Sequence, residues 1–220
     1  MGDRFDAEYD VVVIGSGISG LSAALQAAQD GLSCALLEKE PRTGGSSAFA
    51  EGHAAFESDE QEKRGIHVGK VEAYERYLDY SHWRADPAIV SRFVENAATS
   101  IVKLREELGV VYDDVQITAP DQPGELRTWH LPEGEIAHVI ELQEAEARRR
   151  GVDIFLGTPA RHILMEDGRV AGVLATDSDG QDVKLGARAV VVATGFVSEA
   201  QSKIVSSVIG SRRGTMARLP

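Results

Sequence analysis

The sequence predicts an α/β fold in three layers, a parallel sheet flanked by helices with an antiparallel three-stranded meander, and three features carry that prediction. The first is the apolar run Val11-Val-Val-Ile14, which breaks at Gly15 and leads into an Ala- and Leu-rich segment from Ile18 to Gln29. The second is a pair of further apolar runs, 33–37 and 189–193, of the kind buried on both faces of a parallel sheet. The third is two Asp-Gly turns, at Asp167-Gly168 and Asp179-Gly180, each set between short apolar segments.

The first strand and helix enclose Gly15-Ser-Gly-Ile-Ser-Gly20. In a strand-turn-helix of this spacing the first glycine makes the turn, the second lets backbone amides approach a pyrophosphate, and the third lets helix and strand pack closely. The phosphates then lie on the helix N-terminus, among Gly15, Ser16, Gly17, Ile18, Ser19 and Gly20. Gly31 ends the helix, and the second strand closes on Glu38. A carboxylate there can accept hydrogen bonds from both hydroxyls of an adenosine ribose, and it repels a 2′-phosphate. Up to this point an NAD-dependent dehydrogenase explains the residues equally well.

Beyond Glu38 and Lys39, the small residues Gly44, Gly45, Ser46 and Ser47, with Gly52 after them, suit a backbone lying against something flat. This is where the second half of a dinucleotide goes. From about Phe56 the chain is charged and helical, with Val71, Tyr74, Tyr77 and Leu78 as a core stripe. A long helix follows, with Asp86 as N-cap, Pro87 at its first position, one face of Ile89, Phe93, Ala97, Ile101, Leu104 and Leu108, and Gly109 as its stop. The stretch 113–134, rich in Pro and Gly, is predicted as loop, with Arg127-Thr-Trp-His130 anchoring it to the core. A helix from Glu135 to Arg150 carries acids early and arginines late, matching its dipole. The meander then delivers the chain to Ala193, Thr194 and Gly195.

Bulk properties exclude several classes. A net charge of −12 over 220 residues argues against nucleic acid or an anionic membrane as partner. The lone cysteine, Cys34, falls in the second strand as a small core residue. No secretory signal and no stretch of membrane-spanning length is visible, so a soluble, cytoplasmic protein is expected.

Four motifs in order, GSGISG, LLEKE, TGGSSAFAEG and VVVATG, resemble the Rossmann-like FAD-binding domain of the fumarate reductase and succinate dehydrogenase flavoprotein superfamily, with its soluble fumarate-reductase-like and ketosteroid-dehydrogenase-like members. The resemblance implies FAD, held by Gly15, Ser16, Gly17 and Gly20 at the pyrophosphate, by Glu38 and Lys39 at the adenosine half, and by Gly44, Gly45, Ser46, Ser47 and Gly52 toward the flavin. It implies that Ala160 presents its backbone to adenine and that Ala193, Thr194 and Gly195 flank the dinucleotide. Ser47 stands nearest to where membrane-bound relatives carry a flavin-linked His, which implies non-covalent FAD. The implied activity is hydride transfer between flavin and a substrate C–C bond next to a carboxylate or ketone, with a small-molecule substrate and an electron donor or acceptor as partners.

The implied domains are 1–55 and 135–196 for FAD binding, 56–134 for part of an inserted helical capping region, and 197–220 for a tail that begins a missing half. Relatives continue their fourth motif with a second glycine where this chain has Phe196. No catalytic residue is assigned. His53, Arg127 and His130 are candidates by proximity and composition alone; a non-catalytic FAD-binding fragment is the alternative and an NAD-dependent dehydrogenase the second, and self-association through uncovered apolar surface is expected separately.

Overall fold

The structure, a computed structural model, describes residues 5–117 and 126–195. Phe196, the tail after it and the prolines at 120 and 123 lie outside the described residues. The chain divides into two compact units, one built from the described residues of Met1–Ser47 and Gln143–Pro220, the other from those of Ala48–Leu142.

The first unit is organised by a six-stranded sheet. Its strands are β1 (Ala7–Ile14), β2 (Cys34–Leu37), β6 (Asp153–Phe155), β7 (Ala160–Glu166), β8 (Arg169–Thr176) and β9 (Asp182–Val192), in the order β6-β2-β1-β9-β8-β7. The four strands from β6 to β9 run parallel, with Val12 opposite both Ala35 and Val190, and the remaining pairs are antiparallel. Helix α1 (Ile18–Gln29) follows β1, and its buried Leu21, Ala24 and Leu25 recur at helical spacing. Along β1, β2, β8 and β9 every second residue enters one core: Val12, Ile14, Ala35, Leu37, Val173, Ala175, Leu185 and Ala187.

The third strand of the meander and the last parallel strand are one strand, not two. β9 pairs with β8 from Asp182 to Gly186 and with β1 from Leu185 to Val192, so the pairing is handed over at residues 185–186. Two glycines make room there: a Cβ on Gly172 would lie 2.2 Å from Leu185 O, and one on Gly186 would lie 2.9 Å from the Phe5 ring. The far end of β9 is not buried on both faces, since Val192 is 42% exposed.

The second unit pairs helices with a small sheet. Strands β3 (His53–Ala54), β4 (Tyr112–Ile117) and β5 (Arg127–Pro132) form an antiparallel sheet in the order β3-β5-β4. The stretch predicted as loop therefore contributes two strands. Its inward side on β5 is Thr128, His130 and Pro132, so no apolar alternation marks it.

Helices α2 (Asp59–Lys63), α3 (Lys70–Tyr80) and α4 (Pro87–Leu108) complete the unit. The caps of α4 stand as expected: Asp86 accepts from Ala88 N, and Gly109 is left-handed. Its face is turned by one residue at the start, with Val90 and Val94 buried while Ile89 is 68% exposed. Phe93 instead meets Phe56 and Tyr77 edge-on, in a three-ring cluster. On α3 the buried side chains are Ala73 and Leu78, and Val71 faces water. Helix α5 (Glu135–Arg149) has its buried residues Ile136, Val139, Ile140, Gln143 and Ala147 along one stripe.

Candidate cofactor cradle

The ends of β1, β2 and β9 meet in the first unit. Gly15 N donates to Leu37 O and Ala193 N to Ile14 O, both at 2.8 Å, so the three strand ends are stitched together. Gly15 has φ +101°, and a Cβ there would lie 2.5 Å from Ala193 O. A Cβ on Gly20 would lie 1.9 Å from Gly15 O, which is why helix and turn can touch. At both positions the fold itself excludes a side chain.

Gly17 differs. Its φ is −63°, open to any residue, and a Cβ there would meet nothing closer than Ser47 Oγ at 3.4 Å. Packing does not demand a glycine there, and the N-cap of α1 presents bare backbone to the cavity. The helix start suits an anion, because its first turn holds no acidic residue and its N-cap lends no side chain to the free amides.

Around this start the loop after β2 folds back as a 3-10 turn, Gly45–Phe49. Gly44 N donates to Ser16 O at 3.0 Å, Ser47 N to Gly44 O at 3.0 Å, and Ile18 N donates to Ser47 Oγ at 3.3 Å. The serine hydroxyl thus occupies an amide that would otherwise be free for a phosphate oxygen.

Glu38 is only 6% exposed and is held by three donors. Ser16 N and the Ser16 hydroxyl both bond Oε2, the first at 2.9 Å, and Glu40 N bonds Oε1 at 2.9 Å. An ionised carboxylate offers about four acceptor sites, so one remains, on Oε1. A ribose can place one hydroxyl there, and its second is accepted only if the Ser16 hydroxyl turns away. Lys39 beside it is paired with Glu40.

These elements enclose a cavity of about 300 Å³. Of the residues expected in a site, Gly15, Ser16, Gly17, Ser19, Glu38, Lys39, Gly45, Ser46, Ser47, Ala160, Ala193, Thr194 and Gly195 line it. Ile18, Gly20 and Gly44 support its wall instead. Gly52 belongs to the second unit, where a Cβ would lie 2.3 Å from His130 O. Glu40, Pro159, Arg161 and Val192 line the cavity without having been anticipated. Glu40 and Val192 lie inside the LLEKE and VVVATG motifs, whereas no motif announces Pro159 and Arg161; the segment after β6 reaches the cavity because Thr158 N donates to Glu38 O at 2.8 Å and Gly157 N to Glu40 O at 3.0 Å.

His53, Arg127 and His130 are occupied within the second unit. The fully buried His130 donates from Nδ1 to Thr128 O at 2.8 Å, which leaves Nε2 to accept from the Ser58 hydroxyl at 2.6 Å. His53 Nε2 meets Tyr112 OH at 3.0 Å, and burial, then the neighbouring His130, pushes its pKa down to about 4. Arg127 gives Nε and an Nη to Val115 O at 3.1 and 2.7 Å. Each has a structural employment, and none lines the cavity.

A family model described as an FAD binding domain matches residues 10–216. The chain belongs to this FAD-binding family. Among curated relatives, the vinyl phenol reductase of Lactiplantibacillus plantarum is 34% identical over 190 residues, which are 85% of this chain and 38% of the relative. The NADH:fumarate oxidoreductase of Klebsiella pneumoniae is 32% identical over 207 residues, 92% of this chain and 22% of the relative. The chain thus spans well under half the length of these oxidoreductases.

Among solved structures, a flavocytochrome c3 fumarate reductase in an open conformation superposes with a TM-score of 0.78 at 24% identity, over 86% of this chain and 34% of the other. A 3-ketosteroid-Δ4-(5α)-dehydrogenase from Rhodococcus jostii RHA1 does so at 0.75 and 20%, over 87% and 47%. These two show the fold. FAD is the cofactor of the family, and the glycine geometry, the acid-free helix start and the buried carboxylate fit its adenosine diphosphate half. Among the described residues of this FAD-binding chain no helix is long and apolar enough to cross a membrane.

Proposed function

We propose that the chain holds FAD without a covalent link and forms part of an oxidoreductase that moves a hydride between the flavin and a substrate C–C bond next to a carboxylate or ketone. One observation carries the reading: Gly17 is a glycine that neither its backbone angles nor its packing requires, at the open N-terminus of α1 and inside the cavity that holds Glu38. FAD, when bound, supplies the hydride chemistry.

The chain's own share is binding and orientation. The helix amides beyond Ile18, whose own N–H is held by Ser47 Oγ, face the pyrophosphate, Ser46 and Ser47 offer hydroxyls to the ribityl side, Glu38 receives a ribose hydroxyl, and Ala160 gives its backbone to adenine. Thr194 and Gly195 border the path toward the flavin. The segment 56–134 is, on this reading, the first part of an inserted capping region. The names of the two curated relatives, one a vinyl phenol reductase and one a fumarate oxidoreductase, support a reduced C–C double bond as the product.

The purified chain should show the visible bands of oxidised flavin, or gain them on addition of FAD, and lose the flavin to acid precipitation. A colourless protein that ignores added FAD overturns the binding claim. Dye-linked reduction of fumarate and other activated alkenes then tests turnover; flavin binding without turnover on any of them identifies a binding module and overturns the activity.

A further inference from the structure

Arg161 borders the cavity beside Ala160, Glu38 and Lys39. Its segment is tied by two backbone hydrogen bonds to the end of β2, Thr158 N to Glu38 O and Gly157 N to Glu40 O, so Arg161 stands at the end of the cradle where the buried carboxylate sits. Its Nε donates to Thr176 Oγ1 at 3.0 Å, across the β7–β8 pair. That bond lies in the guanidinium plane, so it fixes the orientation of the group while leaving its two faces for stacking. Lys39, the other cation on this wall, has its ammonium held by Glu40 and offers no plane.

We propose that Arg161 recognises the adenine ring by stacking its guanidinium on the purine face, and so helps select an adenosine-bearing flavin. The inference rests on the reading of the cradle as an FAD site. A planar cation that is anchored at one edge suits an electron-rich bicyclic ring, whose face attracts positive charge and whose area matches the guanidinium. The anchor on Thr176 reduces the rotamer freedom that a free arginine loses on binding.

The test titrates the full chain with FAD, by flavin fluorescence, and with ADP, by calorimetry. Arg161→Ala should weaken both ligands by the same factor, about fivefold. Arg161→Lys should recover little of the loss, because it restores charge without a plane. The loss should persist at high salt, where a simple attraction to phosphate is screened. ADP affinity within twofold of the parent in Arg161→Ala, full recovery in Arg161→Lys, or disappearance of the loss at high salt overturns the stacking role. A parent chain that binds neither FAD nor ADP overturns the FAD reading itself, a different result from a parent that binds and a variant that binds equally.

Discussion

Glu38 and Ser16, 22 residues apart in sequence, are joined twice: the Ser16 amide and hydroxyl both donate to Oε2 of the one buried carboxylate. The pair closes the turn after β1 onto the end of β2, so the carboxylate proposed for the ribose also holds the glycine turn in shape. Glu38→Ala should therefore cost stability as well as affinity. Removing the carboxylate strands three donors, and a loss of about 1–3 kcal/mol in urea unfolding is expected. An unchanged midpoint would mean that the pairing does not hold the turn.

Ser58 links a helix start to a buried imidazole. Its hydroxyl accepts from Gln61 N at 3.1 Å, while Gln61 Oε1 accepts from Ser58 N at 3.1 Å, and the same hydroxyl serves His130 Nε2. Ser58→Ala should lower stability by about 2 kcal/mol, more than a cap alone, because it also leaves a buried nitrogen without a donor. Thermal unfolding against Asp86→Ala, which removes only a cap, checks the difference; equal losses would count against the His130 bond.

Acid should weaken the protein through His53. Its folded pKa of about 4 lies below the unfolded 6.5, so below pH 6.5 the unfolded chain binds the extra proton. Stability is complete above that pH and falls as pH drops toward the folded value. Between pH 7 and pH 5 the loss is about 2 kcal/mol. Burial lowers the pKa of His130 as well, which adds in the same direction. Tyr112, the ring facing both, has its pKa raised by burial and stays neutral in this range. Urea midpoints at the two pH values measure the effect, and a flat profile would contradict the buried neutral pair.

Cys34 should be inert in the folded chain. It is 1% exposed, and burial, with Asp153 nearby, raises the thiol to about 11. A thiol-specific reagent at mildly alkaline pH should react only after denaturant is added. Stoichiometric labelling of the native protein would contradict the packing of β2.

What the chain could be read for depended on whether its signals were local. The start of α4 was legible because Asp86-Pro87 fixes it within two residues, and the turn of the cradle was legible because Gly15 and Gly20 answer to backbone contacts rather than to side-chain partners. β5 was hidden by its polar inner side, where Thr128 and His130 take the places that apolar residues usually mark. The last meander strand and the run 189–193 read as separate elements, but β9 continues through Gly186, where a Cβ would meet the Phe5 and Glu8 side chains. On α4 the adjacent pairs Ile89-Val90 and Phe93-Val94 fit two faces one residue apart, and only the packing partner chooses between them. Arg161 escaped notice because it reaches the cavity through long-range backbone bonds that leave no trace in spacing.

The most direct test compares FAD titrations of the parent, Gly17→Ala and Gly20→Ala, each with a melting curve. At Gly20 a Cβ meets Gly15 O at 1.9 Å, so that variant should lose its fold, whereas at Gly17 the nearest atom is Ser47 Oγ at 3.4 Å and the fold should survive. Gly17→Ala should then melt with the parent and bind FAD about tenfold more weakly or worse, a cost of at least about 1.4 kcal/mol from one methyl in the path of the pyrophosphate. Parent-like FAD affinity in a folded Gly17→Ala protein would contradict the cradle as the cofactor site.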